Sequence, residues 1–134
     1  MKKKIAILGS TGSIGKSTLD IIRKDKKNFN VVFLSANNNY KKLIQQAKEF
    51  NAKNVLIKNE KFYEIVRDSL KKNKTKVFSG NTSINKIISG KLDYTMSAIV
   101  GLAGLQPTID IIKFSKTVAI ANKETIICGW GILS

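Results

Sequence analysis

The chain has 134 residues, 43% of them hydrophobic, and its 24 lysines and arginines against 9 acidic residues give a formal net charge of +15. This length fits one domain able to bury roughly two-thirds of the surface of its unfolded chain. A single cysteine, Cys128, excludes an internal disulfide, the lack of histidine excludes imidazole bases and ligands, and no apolar run approaches membrane-spanning length.

Met1-Lys2-Lys3-Lys4 has the basic start of an export signal, but only four apolar residues follow before glycines intervene, so a cytosolic chain is expected. Residues 4–8 predict a buried strand. Residues 14–24 predict a helix that turns Ile14, Leu19, Ile21 and Ile22 toward a sheet. Val31–Ala36 is a second strand, ending in Asn37-Asn38-Asn39, and residues 40–50 form a helix through Leu43, Ile44, Ala47 and Phe50. A third strand over 55–57 leads to a helix over 60–73, carried by Phe62, Ile65, Val66 and Leu70. A fourth strand, 76–79, runs up to Gly80 and is followed by a short helix near 83–89. Residues 94–100 form a fifth strand ending at Gly101, and Pro107 opens a helix with Ile109, Ile111, Ile112 and Phe114. Thr117–Ala121 is a sixth strand, leading into Asn122-Lys123-Glu124. Apolar strands alternating with helices predict one α/β domain over 1–134, a doubly wound, Rossmann-like parallel sheet covered on both faces.

The stretch Gly9-Ser10-Thr11-Gly12-Ser13-Ile14-Gly15 joins the first strand to the first helix. Small residues there let the backbone approach an anion, and a helix N-terminus offers free N–H groups and the positive end of its dipole. A Walker-type loop requires a glycine at position 10, where serine stands, although Gly15-Lys16-Ser17 is present. The spacing Gly9, Gly12, Gly15 fits instead a one-residue-longer relative of the dinucleotide fingerprint. Doubly wound sheets bind ligands at the carboxyl ends of their strands. Three marked sequences are expected there: the glycine turn, Asn37-Asn38-Asn39, and Asn122-Lys123-Glu124. Each also has a structural reading, as a tight turn, a capped loop and a helix start respectively.

An NAD-preferring site carries a carboxylate about 20 residues past the glycine turn. None stands in Ala36-Asn37-Asn38-Asn39, whose amide donors, with Lys41 or Lys42 nearby, suit a 2′-phosphate, so NADP(H) is the expected cofactor. The lysines are scattered, and the aromatic residues sit in apolar runs rather than alternating with basic ones. The charge therefore reads as solvated faces compatible with a phosphate-bearing small ligand, with no nucleic-acid or membrane partner expected. Cys128 lies among apolar neighbours and is expected to be a buried thiol, and the sequon Asn81-Thr82-Ser83 reads as chance.

The glycine turn with Thr18-Leu19-Asp20 behind it resembles the opening of the 1-deoxy-D-xylulose 5-phosphate reductoisomerase family. So do Ala98-Ile99-Val100-Gly101-Leu102-Ala103-Gly104-Leu105 with Pro107-Thr108, and Ala121-Asn122-Lys123-Glu124-Thr125. The resemblance runs from Ile5 to about Gly129. It implies the NADPH-binding domain of the enzyme that makes 2-C-methyl-D-erythritol 4-phosphate in non-mevalonate isoprenoid synthesis. By the same resemblance Thr11, Gly12, Ser13 and Ile14 hold the pyrophosphate, and Asn37, Asn38 and Asn39 surround the adenosine ribose and its 2′-phosphate. Asn122 and Glu124 then contact the cofactor nearer the nicotinamide, and Lys123 meets the sugar-phosphate substrate. Many relatives carry glycine or a basic residue where Asn37 and Asn38 stand, which departs from the family pattern.

The resemblance also implies a chain about three times longer, a homodimer, whose remaining domains carry the acidic ligands of a divalent metal (Mg or Mn). No catalytic residue and no metal ligand are expected within these 134 residues, which read as one domain of a longer protein or the product of a truncated gene. The alternatives are another NADP-dependent oxidoreductase, a stand-alone nucleotide-binding or interaction module, and, more weakly, a basic nucleic-acid binder.

Overall fold

The computed structural model describes residues 2–98, 110, 111 and 113–120. Six strands, β1 (Lys3–Leu8), β2 (Phe29–Ala36), β3 (Asn54–Ile57), β4 (Lys76–Ser79), β5 (Leu92–Ser97) and β6 (Ser115–Ile120), form one sheet in the order β4-β3-β2-β1-β5-β6. Every neighbouring pair is parallel. The fold is the doubly wound, Rossmann-like α/β arrangement that the alternating pattern predicts. The chain winds outward from β1 through β2, β3 and β4, then crosses back to β5 on the other side of β1, so the strand order reverses beside β1.

The helices described in full are α1 (Ser13–Arg23), α2 (Tyr40–Phe50), α3 (Tyr63–Ser69) and the single turn α4 (Ile84–Ile87), and residues 110 and 111 are also helical. One apolar cluster joins Ile5, Ile7 and Leu34 of the sheet to Leu19, Leu43, Ala47, Phe50 and Val66 of α1, α2 and α3. The opposite face packs Ala6, Leu8, Phe33 and Leu56 against Ile84, Ile87 and Ile111. Successive strand residues point to opposite faces, and both faces are covered, which explains why β1 and β3 are apolar without alternation.

The ends of α2 show how local chemistry fixes these elements. The Asn39 side chain accepts the Lys42 N–H at the start of the helix, and Asn51 closes it in the left-handed conformation at φ 51°. Asparagine suits both positions, since its short amide bonds the nearby backbone and tolerates positive φ.

Helix α1 differs from its expected orientation. Leu19 and Ile22 are buried with Gly15, but Ile14 and Ile21 are 44% and 69% exposed. Residues seven apart lie only about 20° from each other around a helix, and this pair falls on the side away from Leu19. The buried stripe is narrow because α1 sits tightly on the glycine turn. Ile65 of α3 is likewise exposed, at 47%, and the stretch expected as one helix over 60–73 is broken into 3-10 turns at Glu60–Phe62 and Lys71–Asn73 around α3. Lys74 in the left-handed region ends it. Strands β5 and β6 begin two residues earlier than the pattern indicates. The expected features at Pro107 and Cys128, and the sequence Asn122-Lys123-Glu124, lie outside the described residues.

Candidate functional site

The glycine turn sits where β1 delivers the chain to α1, at the carboxyl edge of the sheet. Gly9 turns the chain in the left-handed region at φ 78°, where a side chain is strained. The Gly9 N–H donates to Ser35 Oγ at 3.0 Å, and the Ser10 N–H donates to the Ser35 carbonyl at 2.8 Å. Ser10 is fully buried. Its hydroxyl donates to Gln46 Oε1 at 2.8 Å, and Gln46 Nε2 donates back to the Ser10 carbonyl at 3.0 Å. The first half of the turn is thus clamped by β2 and α2, and its buried polar groups are paired.

Gly15 explains the close seat of α1. A Cβ there would stand 2.4 Å from the Gly9 carbonyl oxygen and 2.6 Å from Ser10 Cα. Gly12 is different, because a Cβ there would come no nearer than 3.8 Å to the Gly9 oxygen. The three glycines therefore differ: Gly9 turns the backbone, Gly15 permits helix contact, and Gly12 has ordinary van der Waals room for a side chain.

The start of α1 carries unpaired donors. Gly12 is the N-cap residue of α1, with no side-chain cap, and the Lys16 N–H to Gly12 carbonyl bond at 2.9 Å begins the helical ladder. The amides of Ser13, Ile14 and Gly15 precede it and have no protein partner among the described residues. Gly12, Ser13 and Ile14 are exposed and Thr11 is half-buried, so these residues and the dipole end they carry are open to an anion.

Beside the turn, a cleft of about 420 Å³ opens at the carboxyl ends of β1 to β4. Its floor is apolar, from Leu8, Phe33, Leu56 and Ile84, and its rim is polar, with Asn37, Lys58, Asn81 and Thr82. Ser35 links cleft and turn, since it lines the former while bonding Gly9 and Ser10 of the latter. An apolar slot whose Ser35 also holds the glycine turn, with the α1 amides at the same edge of the sheet, suits a flat base joined to a diphosphate.

The structure brings Thr11, Gly12, Ser13, Ile14 and Asn37 to this edge of the sheet, with Asn38 and Asn39 on the adjoining loop. All three asparagines also make bonds within the protein, Asn38 and Asn39 through their side chains and Asn37 through its carbonyl. Asn38 Oδ1 accepts from Asn59 Nδ2 at 2.9 Å, the Asn37 carbonyl accepts the Asn59 N–H at 3.0 Å, and Asn39 caps α2. Asn122, Lys123 and Glu124 lie outside the described residues. Sequence reasoning missed Gln46, Lys58 and Asn81. Gln46 left a signal, as a polar residue among Leu43, Ala47 and Phe50 on the buried stripe of α2, where a buried amide must have partners.

Charge pairing is concentrated away from this edge. Arg23 at the end of α1 bonds both Glu49 and Asp20, and its hydrogen bond holds the Glu49 carboxyl below the usual range. Asp93, at the amino edge of the sheet, is also lowered, first by the Lys4 N–H at 2.8 Å and then by Lys116. Among the described residues no three histidine, cysteine, aspartate or glutamate side chains are grouped to hold a metal ion, and no helix is long and apolar enough to cross a membrane.

Comparison with known proteins agrees with this geometry. The chain is 56% identical over 133 residues to the 1-deoxy-D-xylulose 5-phosphate reductoisomerase of Pelagibacter ubique (strain HTCC1062), covering 98% of this chain and 34% of that protein. It is 44% identical to the enzyme of Wolbachia pipientis from Culex pipiens, again covering 98% of this chain and 34% of the relative. The chain therefore spans about a third of the length of the curated relatives it matches. Among solved structures, the Zymomonas mobilis reductoisomerase in complex with NADPH superposes with a TM-score of 0.91 at 36% identity, over 99% of this chain and 35% of that one. A reductoisomerase bound to NADPH, fosmidomycin and magnesium superposes with a TM-score of 0.83 at 31% identity, over 93% of this chain and 31% of that one. The sequence model for 1-deoxy-D-xylulose 5-phosphate reductoisomerase matches residues 5–130, and with the glycine turn and strand order described above, the chain belongs to that family.

Proposed function

We propose that this chain is the NADPH-binding part of an enzyme that converts 1-deoxy-D-xylulose 5-phosphate to 2-C-methyl-D-erythritol 4-phosphate, a step of non-mevalonate isoprenoid synthesis. The observation that carries the reading is Ser35, which lines the apolar cleft and also bonds Gly9 and Ser10 of the turn that leads into the free amides of α1. The cofactor diphosphate rests on Thr11, Gly12, Ser13 and Ile14, and the adenosine end turns toward Asn37, Asn38 and Asn39. The end of β2 has no carboxylate to repel a 2′-phosphate, which favours NADPH over NADH.

When bound, NADPH supplies hydride to the rearranged substrate. This chain's residues fix and aim it: Gly12 leaves room for the diphosphate, the α1 dipole steadies its charge, and Gln46 holds Ser10 so that the turn does not yield. Asn122 and Glu124 contact the cofactor toward the nicotinamide, and Lys123 brings a positive charge to the sugar phosphate. By the family's pattern, further parts of a whole enzyme, a homodimer, would hold the Mg or Mn that would polarise the substrate. Its partners are small molecules, with neither nucleic acid nor membrane among them, and it works in the cytosol.

The experiment is a titration of the 134-residue chain with NADPH and with NADH, followed by nicotinamide fluorescence. Saturable binding that favours NADPH is expected, with no NADPH oxidation when the ketose phosphate and Mn²⁺ are added. Indifference to both nucleotides points instead to an interaction module, and sustained turnover refutes the division of labour between this chain and the rest of the enzyme.

A further inference from the structure

We propose that Lys58 provides the cationic contact to the 2′-phosphate of the bound nucleotide, and so sets the preference for NADPH. This rests on the nucleotide reading above and adds to it the residue that discriminates. The asparagine run at the end of β2 is uncharged, and two of its side chains are already engaged: Asn38 with Asn59, and Asn39 as the cap of α2. A phosphate dianion in this place needs a cation from elsewhere.

Lys58 stands next to that run in space, though 21 residues separate it from Asn37 in sequence. It directly follows β3, and its N–H donates to the Ala36 carbonyl at 2.8 Å, which fixes it one strand away from Asn37. Both residues line the cleft, where Lys58 is the cationic residue among those described. Lys41 and Lys42, on α2, do not line it. The Lys58 ammonium donates to Asn81 Oδ1 on the far rim. That partner is neutral, so it orients the ammonium without cancelling its charge and leaves two N–H donors for a phosphate. Asp110 also lines the cleft, and Glu60 lies against Gly80, so the surroundings are of mixed charge and one well-placed lysine matters more than the chain's net +15.

The test measures dissociation constants for NADPH and NADH at one ionic strength for the unaltered chain, Lys58→Met, Lys58→Arg and Asn81→Ala, with thermal midpoints confirming the fold of each. Loss of a charged contact in Lys58→Met is expected to weaken NADPH by about tenfold or more while NADH changes by less than about twofold. Lys58→Arg keeps most of the preference, and Asn81→Ala loses part of it. An unchanged NADPH-to-NADH ratio in Lys58→Met, or equal weakening of both nucleotides, overturns the assignment while leaving the nucleotide site intact. If the unaltered chain binds neither nucleotide, the site itself falls and this assignment with it.

Discussion

Replacing Gly15 by alanine adds one methyl group in a place with no room for it. The new Cβ would stand 2.4 Å from the Gly9 oxygen, 2.6 Å from Ser10 Cα and 2.7 Å from the Ser10 carbonyl carbon. All three neighbours are backbone, so no rotamer change relieves the contact, and either α1 or the turn must shift. Alanine in a helix is worth about 1 kcal/mol over glycine. Overpacking typically costs about 1–3 kcal/mol, and the upper part of that range applies where the turn is clamped by Ser35 and Gln46. The net expectation is a loss of about 1–2 kcal/mol, which lowers the thermal midpoint by several degrees in a domain of this size. Gly12→Ala is the matched comparison. Its Cβ meets nothing closer than 3.8 Å, and φ −78° with ψ 175° is extended backbone open to any residue. Its stability should stay within about 0.5 kcal/mol of the unaltered chain, while on the proposed placement its methyl meets the diphosphate. Calorimetry and NADPH titration of both variants separate the two roles. Gly15→Ala with an unchanged or raised midpoint, or Gly12→Ala with undiminished NADPH binding, would falsify this division of tasks.

Gln46→Leu removes both bonds to Ser10 and leaves the buried Ser10 carbonyl without its side-chain donor, so a loss of about 1–3 kcal/mol and weaker NADPH binding are expected in denaturant melts and titrations. Unchanged stability would mean that the clamp is dispensable. The depressed carboxyls of Glu49 and Asp93 make stability pH-dependent in a defined direction. A carboxyl with a lowered folded pKa stabilises the fold above its unfolded pKa, about 4, and that contribution fades as the pH falls through the lower folded value. Midpoints of the unaltered chain should therefore drop below about pH 4, and Glu49→Gln should show a shallower drop and converge with it in strong acid. Parallel curves for the two proteins would show that the Arg23–Glu49 pair contributes nothing.

The strand–helix alternation, the parallel sheet and the glycine turn between β1 and α1 were legible in the sequence because they depend on local chemistry. Apolar strands buried on two faces, Gly9 in a positive-φ turn and asparagine caps on α2 are each written within a few residues of where they act. The inward face of α1 was not legible, since Ile14 and Ile21 look as apolar as Leu19 and Ile22. The contact of Gly15 with the turn selects which stripe is buried. Nor does any local rule join Ser10 to Gln46 across 36 residues, or Lys58 to Asn81 across 23. Those pairs arise because parallel crossovers return the ends of β1, β2, β3 and β4 to one edge of the sheet. What the chain's own order determined was a doubly wound α/β frame with a glycine turn at its carboxyl edge. Which side chains clamp the turn, and which cation faces the cleft, was decided only when strands distant in sequence were hydrogen-bonded side by side.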